Sequence, residues 1–465
     1  MDKEIFIDTH AHLDDDRFAE DLTEVMERAK AAGLDHIITV GCWSAENDLG
    51  SVMELVKNND HVYAAIGIHP HDASDATGDE PFELLRRLAE DPKVVAIGET
   101  GLDYHYDNSP RELQREVFIR QIKLARELKL PLTIHSREAD KDTMRILADE
   151  GAAEVGGVMH CFSGNIKMAR EAMDMGFYLS FTGIITFRGA RDLREVVRNV
   201  PIERILIETD CPYLAPVPHR GKRNEPAFVA DTAETIAGVK GLSLADVARI
   251  TTMNARSLFG IGARGERKAE IAYAIRGSLY LNITNKCSNQ CSFCAKFSSY
   301  TVKGHYLRLA EEPSVDDIMK AIGPDPEKYD EVVFCGFGEP LIRLDVVKEV
   351  GLKLKRMGCK IRIDTDGLAN LVHKKNVLSE LMFVDTLSVS LNAPDSKGYQ
   401  DMIKTPFGDE AYPAILYFIK EAKKFVPKVV ASVVGVPGLN VEACRRVAED
   451  DLGVKFRVRE YNVVG

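Results

Sequence analysis

No apolar run in the 465-residue chain approaches the roughly 18 residues of a membrane-spanning helix. The N-terminal Met1-Asp2-Lys3-Glu4 has no apolar signal-peptide core. Prolines number only 19, and 45% of residues are hydrophobic against 28% charged, which excludes collagen-like and disordered chains. There is no internal repeat and no low-complexity tract. Cysteines number nine, an odd count that argues against a disulfide framework and for a reducing, cytoplasmic setting without membrane contact. The length is too great for one ordinary domain and predicts two or three.

What is present is unevenly placed. Residues 1–265 carry 31 Lys and Arg against 45 Asp and Glu, a balance of −14; residues 266–465 carry 29 against 27, or +2, which together make the chain's −12. An acidic half disfavours nucleic acid by itself, but bound divalent cations would reverse that locally. Ten of 12 histidines precede residue 266 and six of nine cysteines follow it. This segregation predicts two different metal chemistries.

Short apolar runs recur in the first half, each followed by a helical pattern: Glu4–Thr9, His36–Cys42, Val62–Ile68, Val94–Gly98, Leu130–Ile134, Gly157–His160, Phe177–Thr182 and Arg204–Glu208. Eight strands alternating with helices over about 260 residues predict an α/β fold, a closed (β/α)8 TIM-type barrel, over residues 1–262. Residues 263–276 read as a linker. A second alternation then predicts a partial (β/α)6 barrel over 277–465, with strands Ser278–Ile283, Glu331–Cys335, Lys360–Asp364, Thr386–Leu391, Lys428–Val434 and Lys455–Arg459.

The first strand ends Asp8-Thr9-His10-Ala11-His12, and residues two apart on a strand share a face, so His10 and His12 can grip one metal. Other strand ends supply Glu99 and Asp103, His135 and Arg137, His160 and Cys161, and Glu208 and Asp210. A barrel gathers these ends at one mouth. Several imidazoles, a bridging Glu and an Asp are what two closely spaced divalent metals need. His69 and His71 form a further pair, read as substrate contacts or supports for the ligands. Cys42, Cys161 and Cys211 lack cluster spacing and read as small hydrophobes. The basic run His219-Arg220-Gly221-Lys222-Arg223 is either a solvated loop or, with Arg137, a source of phosphate contacts.

The stretches IDTHAHLD, GIHPHDA, IGETGLDY, IHSREA, HCFSG, ETDCPYLAP and RGKRNEP resemble the TatD family of metal-dependent deoxyribonucleases from residue 4 to about 262. The resemblance implies that His10, His12, Glu99 and Asp210 hold one divalent ion (Mg, Mn or Zn) and that Glu99, His135 and His160 hold the other. It implies phosphodiester hydrolysis of DNA or another nucleic acid, often from a 3′ end. Water activated by the metals would attack phosphorus in line, with Asp210 as the orienting base and Glu99 as the bridge.

The second half opens with Cys287, Cys291 and Cys294 in C-x3-C-x2-C spacing. Three thiolates on one loop can bind three irons of a [4Fe-4S] cluster and leave the fourth open. The alternative is structural zinc, which wants a fourth ligand that Cys335, Cys359 or Cys444 would supply. The next strand ends Cys335-Gly336-Phe337-Gly338-Glu339-Pro340, and with the cysteine loop this resembles the radical SAM superfamily over about 277–465. Phe337 stands where that family's turn has a second glycine. The resemblance implies that backbone at Gly336, Phe337, Gly338 and Glu339 receives the amino group of S-adenosyl-L-methionine. It places Asp364, Ser390 and Asn392 at further cofactor contacts. It also implies an electron donor such as flavodoxin or ferredoxin and a radical substrate without a motif to identify it. The rival to this bifunctional reading is an amide- or ester-cleaving amidohydrolase-like barrel joined to a zinc-binding, non-catalytic module. Such barrels often bridge their metals with a lysine carbamate, whereas Glu99 stands at the bridge here.

Overall fold

The computed structural model describes residues 4–262, 269–294, 296, 300–459 and 461. The chain divides into two compact units, Met1–Arg264 and Gly265–Gly465. No helix among the described residues is long and apolar enough to cross a membrane.

The first unit is an eight-stranded parallel sheet in the order of the sequence: β1 (Phe6–Ala11), β2 (Leu34–Cys42), β3 (Val62–Gly67), β4 (Val94–Asp103), β5 (Leu132–Arg137), β6 (Gly157–Met159), β7 (Tyr178–Phe181) and β8 (Ile205–Ile207). The ring closes just beyond β8, where Ala11 bridges Cys211 in parallel and the His12 amide donates to the Cys211 carbonyl at 2.8 Å. Inside, Ile7, Ile38, Val40, Ala65, Ala96, Val158 and Leu206 form one apolar cluster. Ala255 and Phe259, at the end of the helix Leu244–Phe259, close the same cluster. The interior is thus a packed core, and the polar chemistry is displaced to the strand C-terminal ends.

β4 runs five residues beyond its expected end at Gly98, through Glu99 to Asp103, all of it buried. Polar residues there hid the strand in an apolar reading. Its tight seat against β5 requires glycine: a Cβ at Gly101, whose φ is +144°, would lie 1.9 Å from the His135 carbonyl oxygen.

The second unit opens with β9 (Ala272–Ile275), which pairs antiparallel with β10 (Ser278–Leu281) across Arg276-Gly277. Part of the expected linker is therefore sheet. Arg276 takes the left-handed conformation (φ +55°) that a two-residue hairpin turn demands, in place of the usual Asn or Gly. Residues 263–268 of that linker lie outside the described residues. Two short antiparallel ribbons follow: β11 (Gln290–Cys291) pairs much later with β17 (Ile403–Lys404), and β12 (Thr301–Val302) pairs with β13 (His305–Tyr306). The main sheet continues with β14 (Glu331–Phe334), β15 (Ile361–Thr365), β16 (Thr386–Ser390), β18 (Lys428–Val434) and β19 (Lys455–Arg459). Six parallel strands, β10-β14-β15-β16-β18-β19, form an open sheet with β9 on its first edge.

Side chains alternate across this sheet. Phe334, Ile361, Ile363, Leu387, Val389 and Ala431 belong to the apolar core. The alternate positions carry Tyr280, Cys335, Arg362, Asp364, Ser388 and Ser432 on the other face. There Arg362 donates to the Tyr280 hydroxyl at 3.2 Å and ion-pairs with Asp364 at 3.4 Å and Glu331 at 3.5 Å.

Candidate metal centre and cysteine loop

Six side chains from five strand ends converge at the barrel mouth around Glu99. The Nε2 atoms of His10 and His12 lie 3.3 Å apart. His10 Nε2 is 3.4 Å from Glu99 Oε2 and 3.7 Å from Asp210 Oδ1, and His12 Nε2 is 3.4 Å from the same Asp210 oxygen. On the other side of Glu99, its Oε1 lies 2.8 Å from His135 Nδ1, 3.4 Å from His160 Nε2 and 3.7 Å from His69 Nε2. One oxygen of the carboxylate therefore faces His10, and the other faces His135, His160 and His69. Ligand atoms of His10, His12 and Glu99, of His10, His160 and Asp210, and of His69, Glu99 and His135 gather within 4.8 Å of one another. Imidazole nitrogens and carboxylate oxygens crowded within this distance are the donor set that divalent cations take.

The backbone holds these groups in place. Asp210 and Cys161 adopt left-handed φ values of +56° and +42°, unusual for residues other than glycine. The Asp210 amide donates to the His10 carbonyl at 2.9 Å, tying β1 to the segment after β8. Buried Asp8 accepts from the amide and hydroxyl of Thr209, at 2.9 and 2.5 Å, across the same seam.

Two carboxylates that the sequence placed at strand ends without a role, Glu208 and Asp103, support the imidazoles. Glu208 Oε1 lies 2.9 Å from His160 Nδ1 and accepts from the Cys161 amide at 2.6 Å. Asp103 Oδ2 lies 3.2 Å from His135 Nε2 and 3.0 Å from His71 Nε2. Each acid faces the ring nitrogen that points away from the cluster, which is how a ligating imidazole's tautomer is fixed. His71 thus supports, as expected, whereas His69 reaches Glu99 itself.

Electrostatics follow from burial and this pairing. Burial pulls His10 down and His69 down to about 3. Burial would also lower His160, but Glu208 and Glu99 outweigh it and lift the imidazole to about 10. Burial would raise Glu99, yet the imidazoles around it hold its carboxyl well below the usual range. The three cysteines of this unit are pushed up, chiefly by burial, as expected of small apolar fillers.

The basic residues divide. Arg137 lies over the Tyr106 ring at 4.7 Å and Arg220 over Phe187 at 4.4 Å, both exposed, as is Lys222. Arg223 departs from its expected phosphate role: it is bidentate on Asp21 at 2.6 and 2.7 Å, so its charge is already neutralised.

In the second unit, Cys287, Cys291 and Cys294 are half-buried on one loop. The loop is tethered three ways. Ser288 donates to Asp366 at 2.6 Å, Asn289 donates to the Tyr399 hydroxyl at 3.0 Å, and β11 pairs with β17. Burial pushes the Cys287 and Cys291 thiols up to about 12. Among the described residues the three sulfurs do not form a group as tight as those at the barrel mouth. Cys359 and Cys444 are buried in the apolar core, and Cys359 sits at the N-terminal end of β15, the end opposite the loop.

The turn after β14 packs on the strand that leads into this loop. A Cβ at Gly338 would meet the Thr284 carbonyl oxygen at 2.2 Å, and the Glu339 amide donates to the Lys286 carbonyl at 2.8 Å. Phe337, the departure from the family turn, meets the Tyr300 ring edge-on at 5.9 Å. The Glu339 carboxylate is fully engaged, accepting from the Leu341 amide, the Thr365 hydroxyl and the Asp366 amide at 2.9, 2.8 and 2.7 Å. Its side chain is therefore a brace between strand ends, and only its backbone is available to a ligand. Around these ends the buried side-chain oxygens of Asn282, Asn289 and Asn392 accept no hydrogen bond. Ser390 accepts from Arg459 at 3.0 Å. Orphaned acceptors on several strand ends fit a cofactor rich in amine and hydroxyl donors.

Comparison with known proteins agrees with both halves. Residues 7–260 match the model of the TatD-related DNases, and residues 281–450 match the radical SAM superfamily. The uncharacterised metal-dependent hydrolase YabD of Bacillus subtilis is 50% identical over 257 residues, covering 55% of this chain and all of its own length. The 3′-5′ ssDNA/RNA exonuclease TatD of Erwinia tasmaniensis is 35% identical over 260 residues, covering 55% of this chain and 99% of its own. Among solved structures, the TatD homologue YjjV of Escherichia coli K12 superposes with a TM-score of 0.52 at 31% identity, over 55% of this chain and 98% of that one. With more than half its length matched by one family model, the chain belongs to the TatD-related DNases, and it carries a radical SAM domain behind the hydrolase.

Proposed function

We propose that the first unit hydrolyses phosphodiester bonds of DNA or RNA stepwise from a 3′ end. We further propose that the second cleaves S-adenosylmethionine reductively to act on a separate substrate. The observation that carries the first reading is Glu99 with imidazoles at both oxygens, His10 at one and His135, His160 and His69 at the other. His10, His12 and Asp210 would hold one divalent ion with Glu99, and His135 and His160, joined by His69, the other. The two ions would supply Lewis acidity at the phosphoryl oxygen and acidify a water molecule. Asp210, whose Oδ1 faces His10 and His12, would orient the attacking water and accept its proton. Glu208 and Asp103 keep the ring nitrogens of His160 and His135 turned toward the site. Arg137, Arg220 and Lys222 receive the phosphates. The similarity to the Erwinia exonuclease supports the 3′-5′ direction.

In the second unit, Cys287, Cys291 and Cys294 would hold a four-iron cluster that supplies the electron for cleavage. Backbone at Gly336–Gly338 receives the cofactor's amino group, and Asp364, Ser390 and Asn392 contact the rest. The cluster would take its electron from a one-electron donor such as flavodoxin or ferredoxin, and nine cysteines without a disulfide suit a cytoplasmic setting.

Two assays test this. With manganese or magnesium, the protein should shorten a 5′-labelled single strand from its 3′ end, and Glu99→Gln should lose at least about a hundredfold in rate. Full activity in Glu99→Gln contradicts the two-metal site. Anaerobically reconstituted protein given dithionite and S-adenosylmethionine should release methionine and 5′-deoxyadenosine. Cys287→Ala, Cys291→Ala and Cys294→Ala should each abolish this, whereas Cys444→Ala should not; equal loss in Cys444→Ala points to a four-cysteine site.

A further inference from the structure

Two large aromatic side chains remain exposed at the barrel mouth: Tyr213 is 48% and Tyr106 55% open to solvent. Burial of a ring is favourable, so a wet tyrosine beside a reactive centre calls for a ligand. The two follow β8 and β4, which stand four strands apart in the ring, so they flank the metal-binding groups from opposite sides.

Their surroundings match. Tyr213 meets the ring of His12 edge-on at 6.0 Å, and Tyr106 meets His71 edge-on at 5.5 Å. Each also carries a guanidinium: Arg17 lies 4.2 Å from the Tyr213 centroid, and Arg137 lies 4.7 Å from that of Tyr106. Arg17 is itself fixed by two bonds to Asp15 at 2.8 Å. Both tyrosines are anchored by backbone. The Tyr213 carbonyl accepts from Asn224 at 2.5 Å and its amide donates to the Asp210 carbonyl at 2.9 Å. The Tyr106 amide donates to Asp103 at 2.9 Å. Asp210 and Asp103 also touch the imidazoles, so the rings are positioned by the groups that build the metal site.

We infer that Tyr213 and Tyr106 are stacking platforms for unpaired nucleobases, which makes the mouth selective for single strands of any sequence. This rests on the phosphodiesterase reading. Every base offers a π-face to an aromatic ring, whereas a duplex hides those faces in its own stack. A guanidinium over one face of each ring leaves the other face for a base, and Arg137, which is not tied to a carboxylate as Arg17 is, meets the phosphate that follows.

The test compares a single-stranded oligonucleotide with bis(p-nitrophenyl) phosphate, a diester without a base. In Tyr213→Ala and in Tyr106→Ala, the ratio of kcat/KM for the oligonucleotide to that for the small diester should fall about tenfold. Tyr→Phe and Tyr→Trp at either position should restore it. Tyr417→Ala, an equally exposed tyrosine in the other unit, is the control. An unchanged ratio in both alanine variants overturns the inference, as does an equal loss on duplex and single strand. Quenching of 2-aminopurine in a single strand bound to Glu99→Gln protein reads the stacking without turnover. It should vanish when either tyrosine is also replaced by alanine, and its persistence in both overturns the inference. If the wild type hydrolyses neither substrate, the phosphodiesterase reading fails while the quenching experiment still decides the stacking.

Discussion

At the scale of single residues, the barrel mouth depends on atoms that are absent as much as on those present. Gly101 allows β4 and β5 to approach until no Cβ fits between them. Gly101→Ala should cost the first unit about 3 kcal/mol or more, from a backbone overlap and a φ of +144° together. Urea titration followed by circular dichroism would show it; a loss below about 1 kcal/mol contradicts so close a packing. The convergence of the candidate ligands was legible, because a barrel brings strand ends together. His10, His12, Glu99, His135, His160 and Asp210 fall where the spacing placed them. Glu208 and Asp103 stood at the same strand ends, yet their pairing depends on which way a ring turns, and no spacing encodes that. Arg223 misled for the same reason: its pairing with Asp21 joins segments some 200 residues apart.

At the scale of elements, apolar runs marked every strand of the main sheets except β9, which is short, opens with Ala272 and turns through Arg-Gly where Asn-Gly is the common signal. β4 was underestimated because its second half is polar yet fully buried, serving the site instead of the core. The helix Leu244–Phe259 shows how a peripheral element supports the mouth from below. Ser243 caps it, accepting from the Asp246 amide at 3.1 Å while its own amide donates back to Asp246 at 3.4 Å. Its Phe259 end closes the barrel core. Ser243→Ala should cost about 1 kcal/mol and lower the melting point of the first unit by about 2–4 °C. Differential scanning calorimetry checks this, and hydrolysis at 25 °C should stay within about twofold of the wild type.

At the scale of the whole molecule, two donor sets of different softness share one chain. Imidazole and carboxylate suit magnesium, manganese or zinc, whereas three thiolates suit iron and sulfide. Brief exposure to air should therefore stop S-adenosylmethionine cleavage and leave phosphodiester hydrolysis nearly intact. A mild chelator without oxygen should do the reverse. Both reactions, run on one sample after each treatment, decide it. If air stops both, adding manganese separates the causes: rescue of hydrolysis identifies an oxidisable ferrous ion in the barrel, and no rescue identifies control of the barrel by the second unit.

The hairpin that opens the second unit has a consequence for how such a chain survives in a crowded solution. A closed barrel exposes no strand edge, but an open parallel sheet has two, each a template for a neighbouring molecule's backbone. On one side β9 folds back over β10 and leaves only a four-residue strand outermost. On the other, the outermost strand among the described residues is β19, which carries Lys455 and Arg457 in alternation, so a second copy approaching in register would bring like charges together. The open half of the molecule is thereby shielded from pairing with itself, by brevity at one border and by charge at the other.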